Sequence, residues 1–204
     1  MRQLNLFSRG RIKAKISTGN HKLGRKIPNI SLRPIVDCAN CKLCAKKCYA
    51  MKAYRQYPQV KAAWGHNGKL AKSSKRNEWF ADILNYIDKK KPGYFRWHVA
   101  GDIIDQDYYE WMCDIAIENP QTKFLAFTKN TNIKFLHRPK NLAIVISMWP
   151  GLPKPNNKMP LAWFQDGTET RVPKSAILCP GSCDECKICW NLPRIKKDVV
   201  FNKH

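Results

Sequence analysis

Hydrophobic residues recur at helical spacing in two segments of the chain, 73–90 and 106–118. The apolar positions of the first are Trp79, Phe80, Ile83, Leu84 and Ile87. Those of the second are Tyr109, Met112, Cys113 and Ala116. This spacing predicts two amphipathic helices, the first capped by Ser73 or Ser74 and ended by a run of lysines and a proline. A third helix is predicted over 43–57, where Pro58 stops it.

Three segments, 94–102, 123–129 and 142–148, carry the β-branched and aromatic residues that predict strands. The continuous apolar run in the third indicates burial on both faces, as in a parallel sheet. We expect a helical turn at 131–136, short strands within 159–178 and a surface loop at 64–69. The strand–helix–strand order predicts right-handed crossovers and a parallel α/β core.

The chain divides by composition into two parts. Residues 1–37 are rich in Lys, Arg, Gly and Pro and contain a single acidic residue, Asp37. We predict mostly extended or irregular structure there. Residues 38–204 are predicted to form a single α/β domain that carries two groups of cysteines, at 38–48 and 179–189.

The charge of the chain predicts an anionic partner. Its formal net charge is +22 over 204 residues. A surface this basic attracts nucleic acid and other polyanions through phosphate contacts, although a solvated surface without a specific partner is the alternative. The sequence shows no signal peptide and no apolar run of about 18 residues. We therefore predict no membrane partner and a reducing, cytoplasmic location, where clustered cysteines are metal ligands or catalytic thiols.

Eight of the nine cysteines fall into two groups with mirrored spacing. The first quartet is Cys38, Cys41, Cys44 and Cys48, and the second quartet is Cys179, Cys183, Cys186 and Cys189. Structural zinc is usually held by two CxxC pairs far apart in sequence. Successive CxxC steps with a fourth cysteine nearby wrap a larger object, and the first quartet has the spacing of bacterial ferredoxins. Each quartet is therefore predicted to hold a 4Fe–4S cluster, with zinc or reduced structural or redox thiols as the alternatives.

Lysines flank both quartets and are expected to lower the pKa of the thiols. They are Lys42, Lys46, Lys47 and Lys187. The ninth cysteine, Cys113, lies on the apolar face of a predicted helix and is expected to be a small buried hydrophobic residue. The two clusters would exchange electrons if they lay close together on one side of the core. Alternatively, both would only staple a small fold.

Three segments resemble the phage gene product 88 family, whose members are similar to radical-SAM proteins. They are CKLCAKKCYA, FRWHVAGDIIDQDYYEWMCDIAIENPQTKFLAFTKN and CPGSCDECKICW. The resemblance implies a truncated radical-SAM-like partial barrel, built of parallel strands with crossover helices, with cluster-binding segments at both ends. It also implies a location in the host cytoplasm.

The chain departs from the radical-SAM pattern, Cys-x3-Cys-x2-Cys, which leaves one iron open for S-adenosylmethionine. Cys44 and Cys48 begin that pattern, but Met51 stands where the third cysteine should be. The second quartet has the spacing but comes late in the chain. Both quartets also supply a fourth thiolate, which would close the cluster.

Ligands of α/β proteins bind beyond the carboxyl ends of the strands. The resemblance implies that Gly101 and Asp102 hold the methionyl part of S-adenosylmethionine, with Asp102 accepting from its ammonium group; a cap for the next helix is the alternative. Alternation places Arg96 and His98 on one strand face, as candidates for binding an anionic ligand. Lys129, at the end of the next strand, is a candidate for a carboxylate or phosphate, or an exposed lysine.

Three hypotheses follow. The first is a protein with two 4Fe–4S clusters that carries out electron transfer or a redox step on an anionic substrate or partner, supplied by an electron donor. The second is an S-adenosylmethionine-dependent radical enzyme. The third is a zinc-stapled, basic module that binds nucleic acid without catalysis.

Overall fold

The computed structural model describes residues 12–18, 22–41 and 44–202. Seven strands form one sheet in the order β1-β2-β3-β4-β5-β7-β6, and every neighbouring pair is parallel. Their bounds are β1 Asn29–Ile30, β2 Tyr94–Trp97, β3 Lys123–Thr128, β4 Leu142–Met148, β5 Leu161–Gln165, β6 Ile177–Leu178 and β7 Val199–Asn202. The predicted parallel α/β core is confirmed.

Four longer helices accompany the sheet: α1 Tyr49–Gln56, α2 Pro58–Ala71, α3 Arg76–Lys90 and α4 Gln106–Glu118. Two short helices follow β6 along the chain, α5 Cys183–Cys186 and α6 Leu192–Ile195. Turns of 3-10 helix precede α1 and α6, at Ala45–Lys47 and Ile188–Asn191. Both quartets therefore lie in segments of short helices and turns.

The sheet is covered on both faces. Phe124, Leu142 and Ile144 belong to a core that they share with α3 and α4. The alternate residues Leu125 and Val145 belong to a second core, which includes Leu23, Ile27, Cys189, Trp190 and Leu192. The predicted two-sided burial of β4 is confirmed, because six of its seven residues are buried. The second quartet thus lies over the sheet face opposite α3 and α4.

Pro58 does not stop a helix but begins one. It occupies the first turn of α2, where proline's missing N–H has no intrahelical partner to lose. Residues 64–69, predicted to be a surface loop, lie inside α2, and Trp64, Asn67 and Gly68 are buried. The predicted helix over 43–57 is shorter, because Cys48 is extended between the 3-10 turn and α1.

Other local predictions were also wrong in detail. Helix α3 begins after Lys75, without a side-chain cap. Residues 131–136 form turns and no helix. Strand β2 ends at Trp97, because His98 adopts a left-handed φ of 56°. Strands β1 and β7 were not predicted, and β1 brings the basic N-terminal segment into the sheet.

Among the described residues, the longest helices are too short or too polar to cross a lipid bilayer.

Candidate metal centre

The first quartet follows β1 and lies at the carboxyl end of the strands. Leu32 donates its N–H to the Ala100 carbonyl at 2.9 Å, which ties the chain leaving β1 to the loop after β2. The cysteines of this quartet act on one another electrostatically, since Cys41 is influenced by Cys38, Cys44 and Cys48. The fold therefore gathers this quartet into one region.

The second quartet begins directly after β6. The Cys179 N–H donates to Val200 O at 2.9 Å, and the Cys183 N–H donates to Lys22 O at 2.7 Å. Trp190, next to the last cysteine, donates from its indole nitrogen to Phe95 O at 3.2 Å. These contacts hold the segment that carries the quartet across one face of the sheet, from the edge strand β6 to β2.

All nine cysteines are free thiols in this structure. Within the residue ranges that the structure describes, no group of three or more His, Cys, Asp or Glu side chains is placed so that it could hold a metal ion. The donor set nevertheless fits a thiolate-bound cluster in number and in chemistry, with four thiols in each of two regions. The eight cysteines as cluster ligands remain a prediction.

Burial controls the chemistry of these thiols. It raises the pKa of Cys38 to about 11, and the pKa values of Cys41 and Cys189 to about 12. Burial likewise raises the pKa of Cys183. These four thiols are therefore protonated at neutral pH without metal, and metal binding to them must release protons.

Cations of the described residues oppose this effect at three of the thiols. Arg96 lowers the pKa of Cys183 and Cys189, and Lys129 lowers that of Cys38, in each case against the larger effect of burial. Of the predicted lysines, Lys47 pairs with Asp166 at 2.9 Å. Lys187 lies over the ring of Tyr94, 5.3 Å from its centre, and Lys42 lies outside the described residues.

Asp37 anchors the chain immediately before the first quartet. Its carboxylate is buried, accepts from Arg33 Nε at 2.7 Å and pairs with Lys72 Nζ at 2.7 Å. Although burial opposes it, these hydrogen bonds hold the pKa of Asp37 below its usual range. Gly68 is needed beside it, because a Cβ there would lie 2.1 Å from Asp37 Oδ2.

Asp102 joins the ends of β2 and β3. Its Oδ1 accepts from Ile103 N–H at 2.7 Å and its Oδ2 accepts from Lys129 N–H at 3.0 Å. Helix α4 is capped instead by Asp105, which accepts from Tyr108 N–H at 2.8 Å. Both oxygens of Asp102 thus hold the protein's own backbone, where an ammonium group was the predicted partner.

Gly101 allows two backbones to approach. Its φ is +85°, and an added Cβ would lie 2.5 Å from Leu32 Cβ and 3.2 Å from Leu32 Cα. The space above this glycine is therefore filled by the chain leaving β1, where the resemblance implied a bound ligand.

His98 does not share a face with Arg96. The left-handed backbone at His98 reverses the alternation, so its Nε2 lies 2.9 Å from the Tyr108 hydroxyl on α4. Val99 packs in the core on the opposite side. Burial and the charge of Arg96 lower the pKa of His98 to about 3, which makes it a neutral core residue.

Arg96 lies beside the second quartet and close to Tyr49. Its guanidinium donates to the Trp97 and His98 carbonyls and stacks over Phe127, 4.2 Å from the ring centre. Burial lowers its pKa, and the groups that act against this effect are Tyr49, Cys183, Cys189 and Cys179. It forms no salt bridge with a carboxylate in the described part of the chain.

Lys129 is fixed through its backbone, and its side-chain end lies over an aromatic ring. Its carbonyl accepts from Asn40 Nδ2 at 2.7 Å, and its N–H donates to Asp102. The Nζ atom lies 5.7 Å from the centre of the Trp149 ring. Of the five predicted ligand-binding residues, Arg96 and Lys129 present charged groups beside the quartets, whereas His98, Gly101 and Asp102 have structural contacts.

A comparison with protein-family models finds a match that covers most of this region. The model of the gene product 88 family matches residues 5–149. The chain belongs to the gene product 88 family. This phage family includes the first quartet and the strand ends from Arg96 to Lys129, whereas the second quartet lies beyond the match. No curated protein and no solved structure matches the chain.

Two further residues of this gene product 88 protein were missed in the sequence. Tyr49 follows Cys48 directly, exposes 69% of its surface and donates its hydroxyl hydrogen to Val99 O. It is close enough to Cys38, Cys48 and Arg96 to interact with each. Asp37 was noted only as the single acid of a basic segment, and that isolation was the available signal for its buried ion pairs.

Proposed function

We propose that this protein binds two 4Fe–4S clusters, one in each quartet, on a radical-SAM-like partial barrel, and carries out a redox step on an anionic substrate or partner. The observation that carries the proposal is the position of Arg96, a half-buried cation that interacts with thiols and forms no carboxylate ion pair among the described residues.

Partial removal of a charge from water without a counterion costs free energy. Arg96 has carbonyl and aromatic contacts, which orient the guanidinium but do not neutralise it. Thiolates bound to iron would supply the missing negative charge at Cys179, Cys183 and Cys189. The cation would in turn favour the thiolate form that iron requires.

The first quartet has a comparable environment. Lys129 acts on Cys38 with a positive charge, and Asp37 holds the preceding backbone through its two ion pairs. The quartet lies at the carboxyl ends of parallel strands, where α/β proteins place their cofactors. An open, all-parallel sheet with this edge is compatible with a partial barrel.

The test is anaerobic purification followed by iron and sulfide counting. We expect about eight iron atoms and eight sulfides per chain. Replacing Cys41 and Cys44 by serine, or Cys183 and Cys186 by serine, should each remove about half. Cys113→Ala is the matched control and should keep the full count, because Cys113 is buried on α4 away from both quartets. A colourless protein that contains only zinc would contradict the proposal.

A further inference from the structure

A cavity of about 540 Å³ opens beside the last cysteine of the first quartet. It is lined by Ile35, Ala45, Lys46, Cys48, Met51, Lys52, Arg55 and Gln56. Residues 48, 51, 52, 55 and 56 recur at intervals of three and four, so one face of α1 forms a wall of the cavity. Cavities of a few hundred Å³ accommodate small-molecule ligands and cofactors.

All the charged side chains that line the cavity are positive. Lys46, Lys52 and Arg55 are exposed, and the lining contains no Asp or Glu. None of the three forms an ion pair with any residue that the structure describes. By contrast, Lys47 is already paired with Asp166. Three cations around one concave surface are therefore available to a ligand.

The rest of the lining is apolar. Ile35, Ala45 and Met51 offer hydrocarbon and thioether surface opposite the charges. Ile35 has a left-handed φ of 67° and is 38% exposed. A ligand that matches both parts of the lining has anionic oxygens at one end and an apolar body at the other.

We propose that this cavity binds a small organic anion, with phosphate or carboxylate oxygens held by Lys46, Lys52 and Arg55. Arg55 provides a planar donor fork that suits either group, and the two lysines add positive charge. The bound anion would lie next to Cys48, and hence beside the first cluster. The inference deepens the proposed function, because it locates the anionic substrate, but the binding step needs no cluster chemistry.

The test is calorimetric titration of the anaerobically purified protein with phenyl phosphate and, separately, with benzoate, at about 0.15 M salt to screen nonspecific attraction. Phenyl phosphate represents the phosphate class and benzoate the carboxylate class, and each has an apolar ring. We expect one of them to bind with one-to-one stoichiometry. The double variant Lys52→Gln/Arg55→Gln should lose about tenfold or more in affinity, since each charge-assisted contact contributes on that scale.

The matched control is Lys89→Gln/Lys90→Gln. These lysines are exposed at the end of α3, which precedes the amino end of β2, so they lie at the opposite edge of the sheet. The control removes the same net charge and should bind within about twofold of the wild type. If both double variants lost affinity equally, the loss would come from the change in overall charge, and the proposed site would be overturned. Absence of one-to-one binding to either anion would also overturn it.

Iron counting on the same samples separates the two proposals. Lys52→Gln/Arg55→Gln should keep the wild-type iron content, because neither residue is a thiol ligand. Weak anion binding by a wild-type protein that has its full iron content would overturn only the proposal that the cavity binds an anion. Zinc in place of iron, with anion binding intact, would overturn the cluster proposal alone.

Discussion

At the residue scale, the pKa of Asp102 leads to a prediction of how the stability of the protein depends on pH. Burial raises its pKa to about 6, although hydrogen bonds from Thr128 and Lys129 oppose the effect. Between about pH 4 and pH 6 the folded protein therefore binds a proton that the unfolded chain does not. The contribution of this residue to stability is present at low pH and is lost as pH rises through about 6.

We expect the wild type to lose about 1 kcal/mol relative to Asp102→Asn between pH 5 and pH 7, because the variant cannot titrate there. Anaerobic urea unfolding of both proteins at the two pH values measures this change. A stability difference that stays constant, or that shifts in favour of the wild type toward pH 7, would contradict the prediction.

Gly101 and Gly65 form a matched pair for backbone effects. Gly101→Ala should lower the free energy of unfolding by about 3 kcal/mol, because it adds left-handed strain and a contact with Leu32. Gly65 lies inside α2 with nothing within 4 Å of its added Cβ. Gly65→Ala should therefore raise the free energy by about 0.5–1 kcal/mol. Urea unfolding curves measure both free energies of unfolding. Similar changes in the two variants would contradict the prediction that only Gly101 is required by its backbone conformation.

The residue types in this site were predictable from the sequence. The directions in which their side chains point were not. The cysteine spacing and the charged residues at the strand ends are visible in the sequence. Alternation placed Arg96 and His98 together, and one left-handed residue, His98 itself, separated them. Nothing in the local sequence marks that reversal, because histidine enters this conformation only when tertiary contacts hold it there.

At the element scale, the start of α4 depends on Asp105. Its carboxylate accepts from Tyr108 N–H and also pairs with Arg76 at 2.9 Å. Asp105→Ala should lower the free energy of unfolding by about 1–2 kcal/mol through loss of the cap. Asp105→Asn keeps a capping oxygen and loses only the partly exposed ion pair, which is worth less than about 1 kcal/mol.

Thermal and urea unfolding of both variants separate the two contributions. We expect the asparagine variant to recover most of the stability that alanine loses. If asparagine were as destabilising as alanine, the ion pair with Arg76 would be the main contribution and the cap a minor one.

Long periodic elements were predictable from the sequence, and short ones were not. Helices α3 and α4 and strands β3 and β4 have clear periods and lie close to the predicted bounds. Strand β1 has only two residues within a basic, glycine-containing segment, so its pairing with β2 comes from tertiary contacts. Helix α2 was obscured by two glycines, one of which is required by its closeness to Asp37.

At the scale of the whole molecule, the two layers on the sheet depend differently on the quartets. The core shared with α3 and α4 contains Cys113 and no quartet cysteine. The core on the other face includes Cys189, with Cys179 and Cys183 packed against it. The sequence alone could not show this division, because it depends on which face of the sheet receives the C-terminal segment.

If the quartets hold the proposed clusters, removing the metal should loosen one layer and spare the other. After anaerobic chelation we expect the far-ultraviolet circular dichroism to stay near that of the untreated protein, since the larger core needs no thiolate ligand. Proteolytic cleavage should become fast within residues 179–198, where Trp190 and Leu192 would lose the support of the loaded quartet. Mass spectrometry of the first fragments locates the cut.

The alternative is that both centres staple the whole fold, as metal sites do in small domains that lack sufficient core. Chelation would then abolish the circular dichroism signal and expose the chain to cleavage throughout. The buried aromatic residues of the larger core argue against that outcome, because Trp79, Phe80, Trp97 and Tyr108 are fully buried and pack against one another. A fold that keeps this layer without metal would limit the contribution of the proposed clusters to the layer that contains Cys189.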